Sequence, residues 1–390
     1  MNHPVVFCAI AFILTRALLF AVGYLTYTEV IPLPKGPEWA DQVASSAAWL
    51  DIWISWDSLW YLTIIENGYQ AEPNLTELNT GQANWAFFPL YPLLASSISG
   101  AFRVDAPVAM LILSNVAFFA ALLVTFSEAR DTYNSSVAKM TVLLLVIWPG
   151  THFFSSGYTE SLFLLFLVST LSLARKGHIF IACIVAALAA LTRNLGVFLV
   201  FPIAIYAWQA WLAERDMELT LMNGVKFAFS RRGARVFFCC CLVPASLLIF
   251  MAHLCAVTGD PLAFVTIQQA WARSFVDPVT SLLRPILAPE TIPATFATDF
   301  IILYLAPIPI IALALKRHWA YFSISLPLYV IPVIAGVVSL HRYVLVAIPL
   351  AMVIADYSVR HPKVGVFIVS LALPLSSVLM AFWAAGYAVI

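Results

Sequence analysis

The sequence predicts an all-α, multi-span membrane protein, and three observations predict it. Of its 390 residues, 62% are hydrophobic and only 10% are charged. A water-soluble chain is normally about 45–50% apolar and about 25% charged. The mean hydropathy is +0.93, and apolar segments recur from one end of the chain to the other. No water-soluble fold has the interior volume to hide that much apolar surface. The 20 basic and 20 acidic side chains cancel, so the charge offers no footprint for a nucleic-acid partner. All six cysteines sit inside apolar segments without C-x-x-C spacing, which argues against a disulfide framework or a thiolate metal site.

Taken in order, the first apolar segment runs to about Tyr27. It lacks a basic leader region and a small-residue cleavage site, so it reads as a retained first helix. Arg16 lies in its middle, which is costly unless it faces the bundle or snorkels. An internal salt bridge is the plainer reading and a role near a lipid phosphate the alternative. Residues 28–106 follow, rich in Pro, Trp and acid and nearly free of Lys and Arg. Within them Trp49, Trp53, Trp56 and Trp60 recur at helical intervals. One helix through Trp49–Tyr69 would set all four indoles in a stripe suited to the membrane interface. Asn67-Gly68 is a helix stop. Asp57 lies beside the stripe with Tyr61 one turn on, whereas Glu66 falls on nearly the opposite face. If one carboxylate here faces a membrane-bound substrate, it is Asp57.

Further apolar segments lie at about 107–127, 138–152, 159–174, 178–192, 194–212, 236–257, 299–315, 319–337, 343–357 and 365–386. Several are short, as helices that begin at a recessed cavity would be. Residues 85–101, broken by Pro89 and Pro92, either span or lie flat. Loop charge favours the flat placement. Arg130, Lys139, Arg175, Lys176, Arg215, Lys226, Arg231, Arg232, Arg235, Lys316, Arg317, Arg360 and Lys363 then share one side. Lys35, Arg103, Arg193, Arg273, Arg284 and Arg342 share the other. Thirteen against six follows the positive-inside rule. The expectation is a single domain over 1–390 of about 11 spans, N-terminus cytoplasmic, with outward loops at 28–106 and 258–298.

That topology gathers the polar motifs on the outer face. Glu160 opens a helix, either as a capping carboxylate or as a group facing the acceptor. Arg193, and His341 with Arg342, stand at the mouths of two more helices. Arginine suits two-pronged recognition of phosphate, so these three are the candidate phosphate ligands, with snorkelling anchors as the plainer reading. Gln268 and Arg273 are suited to sugar hydroxyls or to shaping a lid. No Asp-x-Asp pair, His cluster or Cys/His set offers a metal site. No phosphate-binding Gly-rich loop is present, which disfavours a soluble nucleotide donor.

The motifs Trp56-Asp57-Ser-Leu-Trp60-Tyr61, Glu66-Asn-Gly68-Tyr69 and Phe87-Phe88-Pro89-Leu90-Tyr91-Pro92 resemble the PIG-V-like mannosyltransferases. Tyr158-Thr159-Glu160, Thr192-Arg193, Thr258-Gly259-Asp260-Pro261 through Gln268 and Arg273, and Arg342-Tyr343 extend the resemblance in order. Asn194 departs from it, because Pro is expected after Thr192-Arg193. The resemblance implies the GT-C class of glycosyltransferases, with interfacial helices in the first outward loop. It also implies a polyprenyl- or dolichyl-phosphate sugar as donor and a lipid-linked or glycan acceptor.

On that basis Asp57 is expected to act as the general base, its pKa raised by partial desolvation beside the indoles. Trp56, Trp60, Tyr61, Glu66, Tyr158, Glu160, Gln268 and Arg273 are expected around the substrates, and Arg193, His341 and Arg342 at the phosphate. No cofactor is assigned, and a divalent cation and an accessory membrane subunit are left open. A transporter or flippase using the same outward cavity is the rival from another class. Compact loops favour a bacterial plasma membrane, with the endoplasmic reticulum as alternative.

Overall fold

A computed structural model describes residues 3–36, 48–74, 81–271, 273–291 and 297–387. Glu38, Asp41 and Glu77 of the acidic loop lie outside these. Regular structure among the described residues is helical, apart from one isolated bridge between Asn74 and Gln82. The chain begins with α1 (Pro4–Tyr27), α2 (Ala48–Asp51), α3 (Asp57–Asn67) and α4 (Leu90–Phe102). It continues through α5 (Ala106–Thr132), α6 (Ser135–Ile147), α7 (Glu160–Arg175), α8 (Ile179–Thr192) and α9 (Val200–Ala213). Then come α10 (Leu221–Ala228), α11 (Arg231–Cys240), α12 (Leu242–Thr258), α13 (Ala263–Thr266) and α14 (Pro278–Leu287). The last group is α15 (Ala297–Leu305), α16 (Pro307–Leu315), α17 (Trp319–Ile334), α18 (Leu340–Leu345), α19 (Ile348–Arg360) and α20 (Pro362–Ala384).

Among the described residues, 6 helical stretches are long and apolar enough to cross a membrane. They are Pro4–Tyr27, Ala106–Thr132, Asn194–Ala213, Arg231–Thr258, Ala297–Leu315 and Pro362–Ala384. The other expected spans fall on shorter helices. The chain is an integral membrane protein of the all-α, polytopic class. Helix α4 has 13 residues, a rise of about 20 Å against a hydrocarbon core of about 30 Å. It does not span unaided.

Helices α5, α7 and α8 pack side by side, and Phe118 stacks on Phe154 with centroids 4.4 Å apart. Close approach decides one position beside them. A Cβ on Gly196 would lie 2.4 Å from the Ala189 carbonyl carbon and from the Ala190 nitrogen, both backbone atoms of α8. Gly196→Ala is expected to cost at least the ~1–3 kcal/mol of overpacking, because backbone cannot rotate away. A thermal unfolding midpoint in detergent equal to the parent protein's would contradict this.

The far ends of α5, α7, α17 and α19 share one polar cluster. Arg175 donates to both oxygens of buried Glu128, at 3.0 and 2.9 Å, and to Asp131 at 3.2 Å. The Tyr321 hydroxyl donates to Glu128 at 2.7 Å, and Asp356 holds Lys316 and Arg360. The opposite ends of α7 and α17, with the far end of α8, reach Glu160, Arg193 and Arg342.

Three expectations need correction. The stretch Trp49–Tyr69 is not one helix, and its four indoles form no single stripe. In an unbroken helix the Trp53 carbonyl would accept from the Asp57 amide. Here it accepts from Gly157 N at 3.0 Å, while the Asp57 amide donates to the Tyr158 hydroxyl at 3.1 Å. The Ile52 carbonyl accepts from Trp383 Nε1 at 2.7 Å. Tertiary partners have taken the helical bonds, and Trp53 is buried while Trp49 stays exposed. The stop at Gly68 holds, with φ at 76°. Second, Arg16 makes no salt bridge among the described residues. It donates to the carbonyls of Thr151 (2.8 Å) and Val146 (3.1 Å) and to the hydroxyls of Thr151 and Ser155. Orphan carbonyls where α6 ends do what a carboxylate was expected to do. Third, the segment 138–152 leaves the helix at Ile147 and turns through a short 3₁₀ helix, Thr151–Phe154.

Candidate active site

A cavity of about 480 Å³ opens where α3, α7, α8, α17 and α18 end. Its wall includes Asp57, Tyr61, Thr159, Arg193, Gln268, Arg273, Arg342 and Tyr343, with Phe87 and Trp271 among the aromatic surfaces. Local backbone sets the first of these. Trp56 stands at φ 57°, ψ −122°, a region that costs a bulky residue of order 1–3 kcal/mol. The turn is held by Tyr158, whose hydroxyl accepts from the Asp57 amide and donates to the Ser55 carbonyl at 3.3 Å. Asp57 thus becomes the first residue of α3, and Tyr61 follows one turn later on the same wall.

The charged groups form a chain. Arg342 donates through Nη1 to Asp57 Oδ2 and through Nε to Glu160 Oε1, both at 2.7 Å. Arg193 Nη1 reaches the same Glu160 oxygen at 2.7 Å. Glu160 is completely buried, whereas the Asp57 side chain keeps 28% exposure. Rings face both cations. The Arg342 guanidinium lies 4.6 Å from the Tyr158 centroid, and that of Arg193 lies 4.7 Å from Tyr343. Such contacts favour a cation held out of water. Arg273 differs, donating to Gln268 Oε1 at 3.2 Å and Ser339 Oγ at 3.3 Å, both neutral.

The expected site residues divide. Asp57, Tyr61, Arg193, Gln268, Arg273 and Arg342 line the cavity. Tyr158 and Glu160 stand behind it, touching the wall through Asp57 and the arginines. Glu160 therefore has no surface on the cavity. Trp60 supports the wall indirectly, stacking on Phe87 at 6.0 Å and meeting Trp271 edge-on. Trp56 packs on the main core and Glu66 is exposed at the end of α3, both off the wall. His341 is off this wall as well. Its Nδ1 lies 2.8 Å from Asp299 Oδ1, and its ring borders a separate apolar cavity. Asp57 itself lies against a guanidinium rather than among indoles.

Asp299 went unmarked at the sequence level, although a lone carboxylate inside an apolar segment is a signal in itself. It is fully buried and accepts from the amides of Ser339 (2.9 Å) and His341 (2.8 Å). It holds Ser339 at φ 62° and so shapes the loop that presents Arg342. The donor set of the cavity does not suit a divalent cation. Asp57 on its wall and Glu160 behind it are both held by guanidinium groups, and no group of three His, Cys, Asp or Glu forms among the described residues.

A helical membrane bundle with a charged, partly aromatic cavity at one end is the class that fold and site define. The chain belongs to the Mannosyltransferase (PIG-V) family, whose pattern it matches over residues 5–255. It is 30% identical over 154 residues to GPI mannosyltransferase 2 of the fission yeast Schizosaccharomyces pombe. That match covers 37% of this chain and 30% of the relative. Among solved structures, it is similar to the Archaeoglobus fulgidus oligosaccharyltransferase in its apo form. Identity there is 12% and the TM-score 0.49, over 94% of this chain and 55% of the other. ArnT from Cupriavidus metallidurans, bound to undecaprenyl phosphate, is similar at 12% identity and TM-score 0.49, over 90% and 60%.

Proposed function

We propose that this chain is a GT-C-type, inverting glycosyltransferase of the membrane. It moves a hexose, mannose by family, from a polyprenyl or dolichyl phosphate to a hydroxyl of a lipid-linked or glycan acceptor on the outer face. The observation that carries this reading is Asp57. It is a partly exposed carboxylate on a cavity wall, oriented by a buried guanidinium, in a chain of the PIG-V family.

The chemistry asks for little more. Asp57 takes the proton of the acceptor hydroxyl as its oxygen forms a bond to the anomeric carbon. The bond from that carbon to the phosphate oxygen breaks, and its electron pair leaves with the phosphate. Tyr61, Phe87 and Trp271 supply the flat apolar surfaces on which a sugar ring packs. Glu160 acts behind the site, fixing Arg193 and Arg342. The fungal origin of the relative removes the preference for a bacterial plasma membrane over the endoplasmic reticulum.

The test is transfer by purified protein from a polyprenyl-phosphate sugar, labelled on the hexose, to a mixed lipid extract, with and without EDTA. Label on a new lipid or glycan is expected. No transfer, together with movement of labelled lipid across protein-containing vesicles, would replace this reading with the transporter.

A further inference from the structure

We propose that Arg273, and not Arg193 or Arg342, receives the phosphate of the lipid donor. This rests on the glycosyltransferase reading. Three guanidinium groups line the cavity, and two of them are already neutralised. Glu160 takes Arg193 and Arg342, and Asp57 takes Arg342 again, each at 2.7 Å. Arg273 has no carboxylate within ion-pair distance among the described residues, and its Nε is buried with no hydrogen-bond partner. Three cations against two anions leave the wall one positive charge in excess, and the excess sits on Arg273.

A guanidinium presents its Nε and Nη groups as a fork that matches two phosphate oxygens. Gln268 and Ser339 hold Arg273 at Nη1 and Nη2 and steady it for an incoming anion. A sugar hydroxyl would leave the charge uncompensated. The reaction itself adds to the demand. The donor is a phosphodiester with one negative charge, and the departing phosphomonoester carries more. A cation at the leaving oxygen therefore binds the transition state more tightly than the ground state.

The experiment measures binding of polyprenyl phosphate, of the matching neutral polyprenol and of inorganic phosphate to the full-length protein in detergent. Arg273→Gln and Arg273→Lys are compared with the parent chain, with melting temperature recorded for each. Arg273→Gln is expected to weaken polyprenyl phosphate by about 10- to 100-fold while leaving polyprenol unchanged. Arg273→Lys should recover part of the loss and keeps the test open if the glutamine variant does not fold. Competition by inorganic phosphate that disappears in Arg273→Gln would assign the contact to the phosphate group itself, independent of the lipid chain. Equal affinity of parent and folded Arg273→Gln for polyprenyl phosphate would overturn the assignment and leave the glycosyltransferase reading standing. A parent protein that does not distinguish polyprenyl phosphate from polyprenol would overturn both.

Discussion

Replacing Asp57 by Asn is expected to slow sugar transfer by about 10²- to 10⁴-fold, the usual contribution of a positioned general base. Asparagine keeps the size of the side chain and an oxygen for Arg342 Nη1, now 2.7 Å from the carboxylate, but cannot take a proton. Glu160 still holds Arg342 through Nε, so the fold should survive. The loss should fall on kcat, with KM for the donor little changed, because the proton moves only as the reaction proceeds. Initial rates, donor affinity and melting temperature measured on one preparation separate these effects. A folded Asp57→Asn protein working at the parent rate would remove Asp57 from the mechanism. Glu66→Gln is the companion measurement. That carboxylate is exposed off the cavity wall, and the variant should be indistinguishable from the parent in rate and melting temperature.

Glu160→Gln should be the most damaging single change at the site, and in a different way. Glu160 is fully buried and bridges two arginines. Neutralising it leaves Arg193 without an anion and Arg342 with Asp57 alone. Breaking a buried ion pair from one side costs about 3–5 kcal/mol, since the remaining charge keeps its desolvation penalty. The melting temperature should therefore fall together with activity, unlike the Asp57 variant. Loss of activity at an unchanged melting temperature would argue that Glu160 touches substrate directly.

Six of the twelve expected site residues line the cavity, and their partnerships were not legible. Asp57, Tyr61, Arg193, Gln268, Arg273 and Arg342 stood out because polar groups at the mouths of apolar segments are costly without a use. Sequence position cannot say which of several arginines meets which carboxylate, as the partners of Arg342 lie 285 and 182 residues away. The break between α2 and α3 was hidden for a similar reason. The indole spacing is helical, and only Gly157, Tyr158 and Trp383, distant in sequence, draw the backbone out of that pattern. Arg16 was read toward a carboxylate because nothing local shows that a helix will end beside it. The all-helical, multi-span class came through because composition acts on each apolar segment separately.

The ion-pair chain also sets an order of assembly. A membrane protein is inserted from its N-terminus, and Asp57 and Glu160 are made long before Arg342. Glu160 meets Arg193 early, through neighbouring helices. Asp57 has no guanidinium until α18 is in place, 285 residues later. A chain stalled before α18 would hold its helices in the bilayer with its key carboxylate unclasped and the wall of the cavity unfinished. The cavity wall is therefore closed only by α18, and a nascent chain lacks the Asp57–Arg342 contact until that helix has been made.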